Sequence, residues 1–227
     1  MTGKRPRLIL ASASPRRRQL LTEAGYDFEV VTPEVEELHS EKLTVREATS
    51  YNALRKGLAV ARAHPGRVVL AADTLVALDH RLIGKPADHV EAARLLRLLS
   101  GRTHVVASSV FIAHLRRGKS LAFSVLSRVV FKTLSEQMIA DYLARIDPLD
   151  KAGGYAAQGE GDAIIARILG SRSNVTGLPL EKTGSALELF EIRPAALMPN
   201  EPRLRPRPRP TLPPAIPGAG RNRGTRR

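Results

Sequence analysis

The residues best placed to do chemistry lie in four short clusters. In Ser12-Ala13-Ser14-Pro15-Arg16-Arg17-Arg18 a strand signal feeds a helix start. Free N–H groups, the helix dipole, two hydroxyls and adjacent guanidinium groups favour an anion there. A capped helix with solvated arginines accounts for the same residues equally well. Asp73-Thr74 follows an apolar strand. A carboxylate at the C-terminal end of a buried strand faces the crevice where α/β proteins bind ligands, and could hold a divalent cation or orient a water. An Asp starting a turn is the commoner occurrence. Lys85, between Gly84 and Pro86, could reach a phosphate as a point charge or sit in a surface turn. The fourth cluster runs from Asp150 to Gly159. Its glycines allow close backbone approach, and Gln158 offers the donor and acceptor that reading a base edge requires; a loop without a role fits as well.

Glu36 and Glu37 could add a second metal carboxylate, or belong with Glu34 and Glu41 to a solvated acidic loop. The six histidines show neither an HxH pair nor an i, i+4 pair with a helical Glu, which argues against zinc. No G-x-S-x-G, Walker A or G-x-G-x-x-G fingerprint occurs.

The elements that must position these clusters alternate strand and helix. Arg7 to Ala11 reads as a strand, and Ser14 then caps a helix with Pro15 at its first position. Asp27 to Val31 is a second strand. Thr44-Val45-Arg46-Glu47 is a capping box opening a helix that ends near His64-Pro65-Gly66. Arg67 to Ala72 reads as a buried strand with Asp73 at its end. Asp88 caps a helix to Ser100-Gly101. Thr103 to Leu115 and Ser120 to Lys132 form a long hairpin. A helix from Ser135 to about Arg145, a strand from Ala163 to Leu169 and a helix from Pro179 to Phe190 complete the pattern. The expectation is an α/β fold with a mixed twisted sheet.

The 227 residues suit one large domain or two small lobes around a cleft, and 43% hydrophobic content suffices for a core. The 4% aromatic content leaves that core to Leu, Val, Ile and Ala. No apolar run approaches the roughly 20 residues of a membrane span, so a soluble, cytoplasmic protein without membrane contact is expected. The absence of cysteine excludes disulfides, thiol catalysis and zinc–thiolate sites. Of the net charge of +14, residues 193–227 contribute nine arginines against one glutamate. That segment holds nine of the sixteen prolines and no apolar periodicity, so a disordered Arg/Pro-rich tail is expected after a domain at 1–192. Its charge leaves nucleic-acid contact open. The moderately basic remainder suits a pocket for an anionic substrate.

Taken together, the motifs resemble the Maf family. The resemblance rests on Leu10-Ala11-Ser12-Ala13-Ser14-Pro15-Arg16-Arg17, Val35-Glu36-Glu37, Ala72-Asp73-Thr74, Gly84-Lys85-Pro86, Leu99-Ser100-Gly101 with His104-Val105-Val106, Asp150 to Tyr155 with Gln158-Gly159, and Asn174-Val175 with Gly177-Leu178-Pro179-Leu180. It spans residues 7 to 190 in order.

The resemblance implies an inosine-triphosphatase-like (Maf/Ham1) architecture with two lobes around a central cleft. It implies a nucleoside triphosphate pyrophosphatase cutting between the α- and β-phosphates with Mg²⁺ or Mn²⁺, a homodimer, and a link to clearing modified nucleotides and to cell-division arrest. By the resemblance Asp73 is the catalytic carboxylate, and Arg16, Thr74 and Gln158 set substrate choice in the form of the dTTP/UTP subgroup rather than the 7-methyl-GTP one. Ser12, Arg16, Arg17, Lys56 and Lys85 would hold phosphates, and Glu37 with Asp73 a metal. Two alternatives stand beside this reading: a pyrophosphatase for another nucleotide such as 7-methyl-GTP or CTP, and a basic nucleic-acid-binding or division-regulating scaffold. The family's Glu-Lys-Ala in the long helix is Arg55-Lys56-Gly57 here, which reverses a charge beside the expected site.

Overall fold

The computed structural model describes residues 7–38, 40 and 42–195. Its strands are β1 (Leu8–Ala11), β2 (Phe28–Val30), β3 (Val68–Leu78), β4 (Arg81–Ile83), β5 (Thr103–His114), β6 (Lys119–Phe131) and β7 (Ile165–Leu169). Its α-helices are α1 (Pro15–Glu23), α2 (Val45–Ala63), α3 (His89–Leu99), α4 (Glu136–Leu143), the short α5 (Gly161–Ile164) and α6 (Arg172–Thr176), and α7 (Leu180–Glu188). The seven strands make one mixed sheet in the order β2-β1-β3-β5-β6-β7, with β4 added to β3. The β1–β2 and β1–β3 pairs are parallel and the others antiparallel. This is the expected mixed α/β fold.

Local signals explain most boundaries. Ser14 caps α1 with Pro15 inside its first turn, and Gly25, at φ +78°, takes the left-handed conformation just beyond its end. The reciprocal Thr44–Glu47 capping box opens α2. The expected strand from Ala163 starts late, because residues 161–164 form one helical turn first. The chain is described up to Ala195, past the expected boundary at 192, and the Ala195 N–H donates to the Gly25 carbonyl at 2.7 Å. The expected disordered tail otherwise lies outside the described residues.

One correction bears on the site. Asp73 does not end a strand: β3 runs on to Leu78, and Asp73 sits inside it opposite Ser109 of β5. What ends there is the neighbour. The last β1–β3 pair is Ala11–Ala71, and β4 joins the same edge of β3 only from Val76. Between them, Ala72 to Leu75 have no strand beside them on that edge. The crevice therefore opens at the carboxyl end of β1, where a parallel strand order predicts it.

Side-chain alternation then divides the core. Ile9, Ala11, Val69 and Ala71 pack under Ala53, Val60 and Ala61 of α2. Leu8, Leu10, Leu70 and Ala72 face the other way, toward Leu21 of α1 and Leu187 of α7. Val76 and Leu78 join a third cluster with α3, α4 and Phe131. Asp73 and Thr74 thus lie along β3 between the two clusters built on its first half and the one built on Val76 and Leu78.

Candidate active site

A cleft of about 370 Å³ opens along the bare stretch of β3. That volume lies in the ordinary range for a small-molecule site. Ser12, Arg16, Arg17, Glu37, Lys56, Asp73, Thr74 and Lys85 all line it, so eight of the nine expected site residues are brought together. Gln158 is the exception. It is half-buried and follows Ala157, which does line the cleft, but its own side chain is not on the wall.

Strand alternation sends Asp73 toward α2 and Thr74 to the opposite face. Asp73 is buried, and its carboxylate accepts from Lys56 Nζ at 2.6 Å and from Asn52 Nδ2 at 3.2 Å. The same Lys56 ammonium donates to Glu37 at 2.5 Å. Burial raises the Glu37 carboxyl, but the Lys56 hydrogen bond and charge, with Lys85 and Arg17 behind them, outweigh it and hold Glu37 below the usual carboxylate range. Two carboxylates are therefore aimed at one point, now held by an ammonium.

On the other face, Arg17 is buried and, among the described residues, has no carboxylate in contact. Its guanidinium donates to the Gly177 carbonyl at 2.9 Å, Thr74 Oγ1 at 3.1 Å and Ser12 Oγ at 3.2 Å. Burial pushes its pKa down, against the pull of Asp73 and Glu37, yet an arginine remains charged in proteins. A buried cation with only neutral partners favours an incoming anion. Gly177, at φ +131°, brings its carbonyl within reach of both Arg17 and Thr74, a conformation that side chains rarely adopt.

Arg16 reaches across the cleft to Asp150, at 2.5 Å to the carboxylate and 3.1 Å to the main-chain oxygen. Burial raises the Asp150 carboxyl, while Lys151 and Arg16 together bring it below its ordinary value. Five cations on the wall (Arg16, Arg17, Lys56, Lys85, Lys151) face three carboxylates (Glu37, Asp73, Asp150), an excess suited to a polyanion. Val76, Val106, Tyr155 and Val175 supply an apolar stretch of the same wall. Val106, Tyr155 and Val175 stand in motifs read from the sequence but without an expected role at the site; sequence reasoning missed Val76, and it missed Asn52, although Asn52 stands one helical turn before Lys56 on the buried face of α2.

Glu36 is exposed and does not line the cleft, and its carbonyl accepts from the exposed Arg55 at 3.0 Å. Arg55 also lies over the Tyr51 ring at 5.5 Å. The reversed charge at 55 is therefore outside the site.

The family model described as Maf-like protein matches residues 7–190, most of the chain. The chain belongs to the Maf family. Among its Maf relatives, a dTTP/UTP pyrophosphatase of Akkermansia muciniphila is 45% identical over 175 residues, 77% of this chain and 92% of that protein. Proteins of the same name from Bacillus mycoides and Clostridioides difficile are 42% and 39% identical, over 82% and 81% of this chain and 96% and 94% of theirs. Among solved structures, the Staphylococcus aureus Ham1 protein aligns with a TM-score of 0.48 at 15% identity, over 81% of this chain and 98% of that one. Among the described residues no helix is long and apolar enough to cross a membrane.

Among the described residues no group of three or more His, Asp or Glu could hold a metal. A magnesium-type ion needs only one or two protein carboxylates when phosphates and waters complete its shell. Glu37 and Asp73, both within 2.6 Å of a single atom, meet that requirement.

Proposed function

We propose that this Maf protein hydrolyses dTTP and UTP to the monophosphate and pyrophosphate. The observation that carries the reading is the arrangement around β3: a buried carboxylate at a cleft whose other wall holds a buried guanidinium whose hydrogen bonds among the described residues all go to neutral groups. Relatives that carry this activity in their names are aligned over most of both chains.

The triphosphate lies between the start of α1 and Lys85. Arg17 and Ser12, at the positive end of the α1 dipole, bind phosphate oxygens, and Lys85 approaches from the opposite side. Glu37 and Asp73 would hold Mg²⁺ or Mn²⁺, which when bound neutralises charge on the phosphate oxygens. Asp73 takes a proton from the attacking water as its oxygen bonds to the α-phosphorus. The bond from the α-phosphorus to the bridging oxygen breaks, and pyrophosphate leaves toward Lys85 and Arg17, whose charges stabilise it. Lys56 holds the two carboxylates together and is close enough to shift to a phosphate oxygen.

The base fits against Val76, Val106 and Tyr155, with Thr74 at its edge. Gln158 reads the base only if its amide turns into the cleft beyond Ala157. Exchange of Gln158 for Glu tests this: selective loss of dTTP and UTP turnover supports base reading, and an unchanged substrate profile removes Gln158 from the site. The activity itself is tested by pyrophosphate release from a nucleotide panel. Release from dTTP and UTP supports the reading, and release from 7-methyl-GTP or CTP alone would replace it with the neighbouring specificity.

A further inference from the structure

Helix α2 turns a polar face toward β3, with Thr49, Asn52 and Lys56 all buried. The Thr49 hydroxyl lies 2.7 Å from that of Ser109, the residue opposite Asp73 in the β3–β5 register, which fixes the rotation of α2 one turn before Asn52. Asn52 is 1% exposed, and every hydrogen of its amide is committed. One Nδ2 hydrogen goes to Asp73 Oδ2 at 3.2 Å and the other to the Leu38 carbonyl at 3.2 Å, while Oδ1 accepts the Leu38 N–H at 2.8 Å. The segment so gripped is the one that carries Glu37.

We propose that Asn52 is a positioning residue that joins the Asp73 carboxylate and the Glu37 segment into one unit, and so sets the separation of the two carboxylates. An amide alone among side chains of this size gives two donors and an acceptor. With the amide flipped, Oδ1 would face the Asp73 carboxylate, and the Leu38 N–H would meet an N–H group. The network therefore dictates a single orientation. Aspartate at this position would retain the acceptor for Leu38 but set an oxygen against Asp73. Leucine has the volume and none of the bonds. Among the described residues of the loop from 31 to 44 there is no helix or strand, so the grip of Asn52 on Leu38 is one of the side-chain ties that register it, beside Lys56 on Glu37 and Arg55 on the Glu36 carbonyl. Asn52 does not line the cleft, so it acts through Asp73 and Glu37 and not on the nucleotide.

This inference rests on the pyrophosphatase reading, and two measurements keep the two apart. In the full-length protein, Asn52→Leu and Asn52→Asp are compared with wild type for dTTP hydrolysis, with thermal melting to confirm folding. Residues that orient a site's ligands typically cost about 10- to 100-fold when lost, so kcat is expected to fall at least about tenfold in both. KM for dTTP is expected to stay within about threefold, because no phosphate or base contact is touched. Exchange of the Leu38 amide hydrogen, followed by NMR without nucleotide or metal, should speed up in Asn52→Leu and stay near wild type in Asn52→Asp, which keeps the acceptor. If Asn52→Leu does not fold, the kcat and KM of Asn52→Asp decide. A folded variant with kcat within about twofold of wild type, a rise in KM matching the fall in kcat, or unchanged Leu38 exchange in Asn52→Leu would each overturn the proposal. An inactive wild type would overturn the pyrophosphatase reading instead, and Leu38 exchange would still report on the clamp.

Discussion

Lys56 Nζ stands 2.6 Å from Asp73 and 2.5 Å from Glu37, so one ammonium bridges two of the site's carboxylates. The side chains of Lys56 and Asp73 are 9% and 4% exposed, which makes this a buried ion pair. Removing one partner of such a pair strands the other charge, at a cost of about 3–5 kcal/mol. Lys56→Met should therefore melt about 6–20 °C below wild type at neutral pH and lose turnover. Added Mn²⁺ should restore more of the melting temperature in this variant than in wild type, since the two carboxylates then lack their resident cation. A melting temperature unchanged by the substitution would show that the ammonium does not hold the site together.

Gly57 and Phe111 explain why this chain lacks the family's alanine after Lys56. A Cβ at 57 would lie 2.3 Å from the Phe111 ring and 3.2 Å from Ala71 Cβ. Glycine inside a helix costs about 1 kcal/mol relative to alanine, yet overpacking a core costs about 1–3 kcal/mol. Gly57→Ala should thus destabilise by about 1 kcal/mol, and combining it with Phe111→Leu should give a protein more stable than the two single effects summed. Denaturant midpoints for the four proteins measure the coupling; additive effects would exclude it.

His104 lies buried beside Phe131, with Nε2 2.6 Å from the Tyr155 hydroxyl and Nδ1 without a partner. Burial pushes its pKa down from 6.5 to about 4. Because the folded state resists the proton, the unfolded chain binds more protons between these values. Stability is then intact above about pH 6.5 and falls as pH drops toward about 4. Between pH 7.5 and pH 5 the loss from this group is about 2 kcal/mol. His104→Phe should flatten that part of the curve, measured as the urea midpoint against pH. An equal slope in wild type and variant would show that His104 is not responsible.

The Arg16–Asp150 contact ties the start of α1 to the segment from 150 to 158 across the cleft. Both side chains are partly exposed, at 25% and 38%, so the pair adds little to global stability. Its effect belongs to the shape of the wall proposed to take the base. Asp150→Asn should leave the melting temperature within about 2 °C and raise KM for dTTP several-fold with a smaller change in kcat. A loss confined to kcat would place Asp150 in the chemical step.

The sequence made much of this legible where the signal is local. The capping box at Thr44, Pro15 behind Ser14, and the paired apolar runs of β5 and β6 each dictate their element by short-range physics. Asp73 was misplaced at a strand end because a charge usually interrupts a buried strand; here α2 supplies Lys56 and Asn52 opposite it, so the strand continues to Leu78. Short pieces such as β4 and α6 carry too few residues for a period to show. The Arg16–Asp150 contact joins residues 134 apart, and no spacing rule reaches that far. Arg55 looked like a reversed charge in the site, yet the residue next to an inward-facing lysine on a helix points about 100° away, and it meets Glu36 and Tyr51 outside. For Gln158 the motif identifies the segment but not the direction of the side chain.

The most direct test is pyrophosphate release from dTTP, UTP, CTP and 7-methyl-GTP with Mg²⁺ or Mn²⁺, by the wild-type chain and by Asp73→Asn. The account predicts release from dTTP and UTP by wild type, and at least about a hundredfold lower kcat in the folded variant, whose Lys56 still pairs with Glu37. Near-normal turnover by Asp73→Asn, or no release from any nucleotide by wild type, would contradict it.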